Sequence, residues 1–191
     1  MLDSPPNLIL ASRSPRRRAL LEAAGYRFEV RPPEEDVESG PGVDESAADF
    51  VARLAYQKAA DVARGVQKGL ILGCDTVAEC DGRILGKPAD EAEARQMLQT
   101  LAGRKHCVLS GVCLWNVPTH TPIVRVAVTT LQMDPLSNAQ LADYLAGGGW
   151  RGKAGAFGYQ DRLGWVHVVE GSETNVVGLP MELLAEMLRE L

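Results

Sequence analysis

With 191 residues, 46% of them hydrophobic and 24% charged, the chain has the composition of a folded globular protein, which excludes a disordered, collagen-like or coiled-coil one. Its 20 Lys+Arg against 25 Asp+Glu give a net charge of −5, so it lacks the basic field that sequence-independent nucleic-acid binding needs, and any anion site must be local. No window approaches the roughly 18 apolar residues of a membrane helix, and Met1 to Asn7 carries Asp3, Pro5 and Pro6 where a signal peptide would be basic and then apolar. A cytoplasmic protein with neither a nucleic-acid nor a membrane partner is expected, built as one domain or one domain with a subordinate lobe.

Asn7–Ser12 reads as a buried strand. It feeds directly into a helix over Ser14–Ala24, with Ser14 as N-cap, Pro15 in the first turn and Gly25 beyond the end. Arg27–Arg31 alternates as a second strand, and Pro32–Glu45 is a loop rich in Pro, Gly and acid. Ser46 caps a helix to about Arg64 whose apolar face carries Ala47, Phe50, Val51, Leu54, Ala55 and Val62, with Lys58 in the middle of it. A lysine there either snorkels at the core rim or points into a polar cavity.

Leu70–Ala78 is the strongest buried-strand signal, and Asp81-Gly82 is a hairpin turn returning through Arg83–Leu85 to Gly86-Lys87-Pro88. A helix over Asp90–Leu101 closes at Gly103. Strands follow at His106–Trp115 and Ile123–Gln132, the second alternating through Val124, Val126 and Val128 as a half-solvated antiparallel strand would. Ser137 and Gln140 form a capping box for a helix to Leu145. After a glycine-rich stretch come a strand at Trp165–Glu170 and a terminal helix from Pro180. The expected fold is a mixed α/β domain with a largely antiparallel or mixed sheet and flanking helices.

Chemistry concentrates in few places. Ser12-Arg13-Ser14-Pro15-Arg16-Arg17-Arg18 joins hydroxyls, arginines and a helix N-terminus just after a strand, which reads as a phosphate site, since arginines there oppose the helix dipole unless an anion is present. Neither GxxxxGK[ST] nor GxGxxG occurs. Asp75 lies inside the most apolar strand and must be paired, hydrogen-bonded or metal-bound. Lys58, Lys87 and Lys153 are further cation candidates, and Glu34, Glu35, Asp36 and Glu38 could supply a second acid to a magnesium ion shared with phosphates. Cys74, Cys80, Cys107 and Cys113 form no CxxC and group with no histidine, so reduced structural thiols are expected. Together these features describe phosphoryl chemistry.

The segments LILASRSPRRRALL, FVARLAYQKA, LGCDTVAECDGRILGKP, GKAGAFGYQ and NVVGLP, in that order, resemble the Maf proteins, nucleoside triphosphate pyrophosphatases also described as septum-formation inhibitors. The resemblance runs end to end and implies a single Maf-like domain over residues 1–191, related in fold to the inosine-triphosphate pyrophosphatases, with the site in a cleft between two lobes. It further implies hydrolysis between the α- and β-phosphates with Mg²⁺ or Mn²⁺. By motif, Ser12, Arg16, Arg17, Lys58 and Lys87 would bind triphosphate, and Asp75 would act as general base or metal ligand. Arg16, Thr76 and Gln160 look like the branch acting on dTTP and UTP, whereas the 7-methyl-GTP branch usually shows Trp, Gln and Glu. Two segments depart: GYQDRLGW stands where GIQGLGG is usual, and SETNVVGLP is nearer the other branch. Counting from Phe28 puts the family's second metal-binding acid on Val37, and a one-residue insertion restores it at Glu38, preferred over Glu35 and Asp36. A homodimer is implied by resemblance alone. The competing reading is a nucleotide-binding regulator of division with little turnover.

Overall fold

A computed structural model describes residues 7–34, 39–117 and 121–191. In chain order the elements are β1 (Leu8–Ala11), α1 (Pro15–Ala23), β2 (Phe28–Val30), α2 (Ala47–Ala63), β3 (Leu70–Cys80), β4 (Arg83–Leu85), α3 (Glu91–Leu101), β5 (Lys105–Asn116), β6 (Thr121–Met133), α4 (Asn138–Ala146), β7 (Val166–Glu170), α5 (Glu173–Val177) and α6 (Met181–Arg189). One-turn 3-10 helices at Ala154–Ala156 and Tyr159–Asp161 lie between α4 and β7. The caps are those the sequence announces: Ser14 for α1, Ser46 for α2, and the Ser137–Gln140 box for α4.

The strands form one sheet in the order β2-β1-β3-β5-β6-β7, with β4 also paired to β3. β1 is parallel to both its neighbours, and every other pairing is antiparallel. Asp81 and Gly82 both have positive φ, 51° and 79°, as the two-residue loop between β3 and β4 requires.

Period-2 alternation divides the core between the two faces of the sheet. Ile9, Ala11 and Ile71 pack under α2 with Ala55, Ala59 and Val62. Leu8, Leu10, Leu70 and Leu72 face the other way, against Leu21 of α1 and Leu184 and Met187 of α6. Farther along that second face, Ala78, Val108, Leu131 and Met133 pack with α3, α4, Trp150, Phe157 and Trp165. Each large side chain removed from water here contributes about 1.5–3 kcal/mol of transfer free energy.

Two features of this frame create the site. First, β1 stops at Ala11, opposite Gly73, while β4 runs from Arg83 opposite Cys80 to Leu85 opposite Ala78. Between those points β3 has no strand on that edge, so its side chains of both parities can reach one notch. Second, α2 rests directly on the sheet at two glycines. A Cβ on Gly73 would lie 2.2 Å from the Ala55 carbonyl oxygen, and one on Gly111 would lie 2.1 Å from that of Val51. Glycine inside a strand marks such a close approach, and it lowers Lys58 of α2 onto Asp75 of β3.

One strand is more open than its pattern suggests. Val124 and Val128 of the alternating valines are exposed, at 37% and 52%, because α2 covers the middle of the strand and Val126 alone packs against the Phe50, Val51 and Leu54 cluster. The short helix α5, capped by Ser172, carries no periodic signal and is absent from the sequence expectation. No helix among the described residues is long and apolar enough to cross a membrane.

Candidate active site

A cavity of about 630 Å³ opens at the notch, lined from one side by Ser12 to Arg17 and from the other by Arg151 to Ala154, Phe157 and Gln160. Pro33, Lys58, Asp75, Thr76, Lys87, Val108 and Val176 to Gly178 complete its described lining. Ser12, Arg16, Arg17, Lys58, Asp75, Thr76, Lys87 and Gln160, which the sequence singles out as site residues, all line this one cavity. Glu38, with Glu35 and Asp36, lies outside the described residues, and Glu34 does not line the cavity.

Asp75 and Lys58 are both buried, 7% and 3% exposed, and the Lys58 ammonium donates to Asp75 Oδ1 at 2.6 Å. Asp75 Oδ2 makes no hydrogen bond among the described residues. A carboxylate in an apolar strand is thus half committed to a lysine and half available to the cavity.

The α1 entrance behaves as its sequence suggests, with one refinement. Ser12 Oγ accepts from the Ser14 amide and from Arg17 Nη1, both at 3.1 Å, so its single O–H remains to donate. Arg17 is 8% exposed and serves first as a structural clamp. Its Nε donates to the Gly178 carbonyl at 2.8 Å and its Nη2 to Thr76 Oγ1 at 3.1 Å, leaving two of five N–H groups for a ligand. Arg16 Nη2 donates to the Gly152 carbonyl at 2.7 Å across the cavity; burial first, then neighbouring Arg17, lowers its pKa, against an opposing pull from Asp161. Arg18 turns away to pair with Glu22. Lys87 is exposed and makes no ion pair or hydrogen bond among the described residues.

Thr76 Oγ1 contacts Ser110 Oγ at 2.8 Å and the Gly178 carbonyl at 3.2 Å besides Arg17, so its one O–H is spent within the protein. The wall it shares with Val108, Phe157, Val176, Val177 and Gln160 carries no charge. Gln160 is the exception to its quiet chemistry: its amide makes no side-chain hydrogen bond among the described residues. Sequence reading does not foresee Arg151, or this apolar wall, whose members come from four separate segments.

Seven basic side chains (Arg13, Arg16, Arg17, Lys58, Lys87, Arg151, Lys153) against one carboxylate line the described part of the cavity. With the N-terminus of α1 directed at it, the cavity suits a polyanion, while the uncharged wall suits a flat, polar-edged ring. Many cations together with an uncharged patch suit the phosphates and the base of a nucleotide.

The comparisons agree with this geometry. The chain is 53% identical over 186 residues to the dTTP/UTP pyrophosphatase of Rhodopirellula baltica, covering 97% of this chain and 82% of that protein. It is 39% identical over 189 residues to the dTTP/UTP pyrophosphatase of Ruminiclostridium cellulolyticum, covering 97% and 96%. Among solved structures, a HAM1 protein from Coxiella burnetii shares the fold, with a TM-score of 0.52 at 17% identity over 97% of this chain and all of that one. The match to the Maf-like protein family spans residues 7–191, and the chain belongs to that family.

Proposed function

We propose that the chain, acting as one Maf-like domain, hydrolyses dTTP and UTP between the α- and β-phosphates to give the monophosphate and pyrophosphate. The observation that carries this is Asp75, a buried carboxylate with one oxygen unbonded among the described residues, set in a cavity lined by seven basic side chains and by an uncharged patch of Thr76, Val108, Phe157, Val176, Val177 and Gln160. The activity named for its relatives supports the substrate class, as does the convergence of Arg16, Thr76 and Gln160 on one cavity. A glutamine amide offers both a donor and an acceptor, the pair a uracil or thymine edge needs.

Arg13, Arg16 and Lys87 neutralise the triphosphate, with the Arg16 backbone amide at the start of α1 donating to it, Ser12 donating its O–H and Arg17 its two spare N–H groups. Lys58 fixes the carboxylate rotamer through Oδ1. Asp75 Oδ2 takes a proton from water as the water oxygen bonds to phosphorus and the α–β bridging P–O bond breaks. Pyrophosphate leaves carrying the charge that the cationic wall offsets.

The donor set bears on the metal. Among the described residues no group of three or more His, Cys, Asp or Glu is arranged to hold an ion. A single free carboxylate oxygen beside a phosphate site does fit Mg²⁺ or Mn²⁺ shared with the substrate. In the alternative role to general base, Asp75 Oδ2 would hold it, with Glu38 as the second carboxylate, and when bound it would supply charge neutralisation on the phosphate oxygens. Four free thiols support a reducing cytoplasm as its location. A homodimer would appear in light scattering as twice 20.6 kDa.

The test is product analysis over dTTP, UTP, CTP, GTP and 7-methyl-GTP with Mg²⁺ or Mn²⁺. Pyrophosphate, without orthophosphate, should be released fastest from dTTP and UTP and lost on chelation, and Asp75→Asn should cut turnover by about 100-fold or more while nucleotide still binds. Fastest release from 7-methyl-GTP would overturn the substrate assignment; binding without release from any nucleotide would overturn hydrolysis.

A further inference from the structure

Gln160 sits on the one-turn 3-10 helix Tyr159–Asp161, a segment too short to hold itself in place. Its own amide is uncommitted among the described residues, yet both its neighbours are tied down. The Tyr159 hydroxyl donates to Glu173 Oε1 at 2.9 Å, and Asp161 pairs with Lys153.

Neither tie ends on a loose group. Glu173 is the first residue of α5, and that helix is fastened to the sheet from inside. Asn175 is fully buried, and its Nδ2 donates to the Val108 carbonyl at 3.0 Å and to Thr129 Oγ1 at 2.9 Å. Lys153 lies on the stretch whose Gly155 amide bonds the Gly86 carbonyl at 3.0 Å and whose Gly152 carbonyl receives Arg16. Gln160 is thus suspended between two fixed posts, one on α5 and one on the 152–155 segment, and lines the cavity together with Phe157.

We infer that Tyr159 and Asp161 are positioning residues for nucleobase discrimination, acting through Gln160. They touch no reacting atom and do not line the cavity; they limit the rotation of the Gln160 backbone and so decide whether its amide meets the base edge squarely. The inference rests on the nucleotide reading of the cavity proposed above. A hydrogen-bonding site rejects the wrong partner only as far as its donors and acceptors are held in place.

The experiment measures binding of α,β-methylene-UTP and α,β-methylene-CTP, which share a shape and differ in the donor–acceptor edge, by calorimetry. The variants are Tyr159→Phe, Asp161→Asn, their combination, and Gln160→Ala as the reference. The combined variant should lower the UTP:CTP affinity ratio about three- to tenfold, approaching the value for Gln160→Ala, with the affinity for inorganic triphosphate changed equally or not at all. Asp161→Asn also releases Lys153, which would strengthen both analogues alike, so the ratio alone reports on the base. Tyr159→Phe changes no charge, and Glu173→Gln, which keeps an acceptor for the hydroxyl, should restore most of the ratio that Glu173→Ala loses.

A ratio that falls in Gln160→Ala and stays at the wild-type value in the combined variant overturns the inference. So does a ratio unaffected by Gln160→Ala. Failure to release pyrophosphate from UTP, with the ratio behaving as expected, would overturn hydrolysis and leave the brace standing.

Discussion

Replacing Lys58 by Met removes one half of a buried ion pair and leaves the other half in place. At 2.6 Å and an effective dielectric constant of about 20, the two charges attract by about 6 kcal/mol. Several kcal/mol per ion were spent in taking them out of water, so the net value of the pair is small. Breaking it is another matter, because Asp75, 7% exposed, keeps its desolvation cost and loses its partner. Lys58→Met should therefore cost about 3–5 kcal/mol, or roughly 6–20 °C in Tm for a chain of 191 residues. Lys58→Met/Asp75→Leu, which removes both charges of this pair, should recover part of that loss while releasing no pyrophosphate. Urea titration monitored by circular dichroism, alongside the pyrophosphate assay, measures both quantities. A loss below about 1 kcal/mol in the single variant would mean that the pair behaves as a solvated one, and the reasoning would fail.

Three further outcomes follow from the fold. Gly73→Ala sets a Cβ 2.2 Å from the Ala55 carbonyl oxygen and must lift α2; a loss of about 1–3 kcal/mol or more, with turnover falling further than stability, is expected in denaturation and product assays. Glu45 is held down to about 2, chiefly by Arg53, which grips both its oxygens, and then by the Gly42 amide. A depressed carboxylate stabilises the fold above its ordinary value of 4.5 and stops doing so as pH falls through about 2, so Glu45→Gln should flatten the urea midpoint's dependence on pH in that window. Burial raises the pKa of Cys74 and Cys80 and pushes Cys113 up to about 12, so iodoacetamide at pH 8 should modify at most half-buried Cys107 in the native protein, and all four thiols after unfolding, by mass spectrometry.

The sequence declares what local rules govern. Ser14, Ser46 and the Ser137–Gln140 box mark helix starts because capping is decided within four residues, and the apolar stripe of α2 exposes Lys58 as an anomaly because helix periodicity is strict. What stays hidden is set by distant partners. Arg17 reads as a phosphate ligand, yet most of its donors are taken by Gly178, Thr76 and Ser12, contacts spanning up to 161 residues. Asn175, legible in the sequence only as part of the NVVGLP segment, is the buried fastening of α5. The valines of β6 have the right period, but period does not say how far α2 extends over them. Glycines inside strands, Gly73 and Gly111, are where α2 comes closest to the sheet.

The two sides of the cleft are not joined by linkers. β3 and β5 pair from Leu70 to Glu79 and β5 and β6 along the whole of β5, so the same strands, each roughly 35–45 Å long, run beneath both sides. Bringing the α1 side toward the 152–160 side therefore means flexing a hydrogen-bonded ribbon, as a leaf spring bends, and not swinging two bodies about a few loop torsions. Such a spring resists large excursions. Recognition in this protein is accordingly a matter of small adjustments, with the arginines, the Lys58–Asp75 couple and the apolar wall standing near their working separations before any nucleotide arrives.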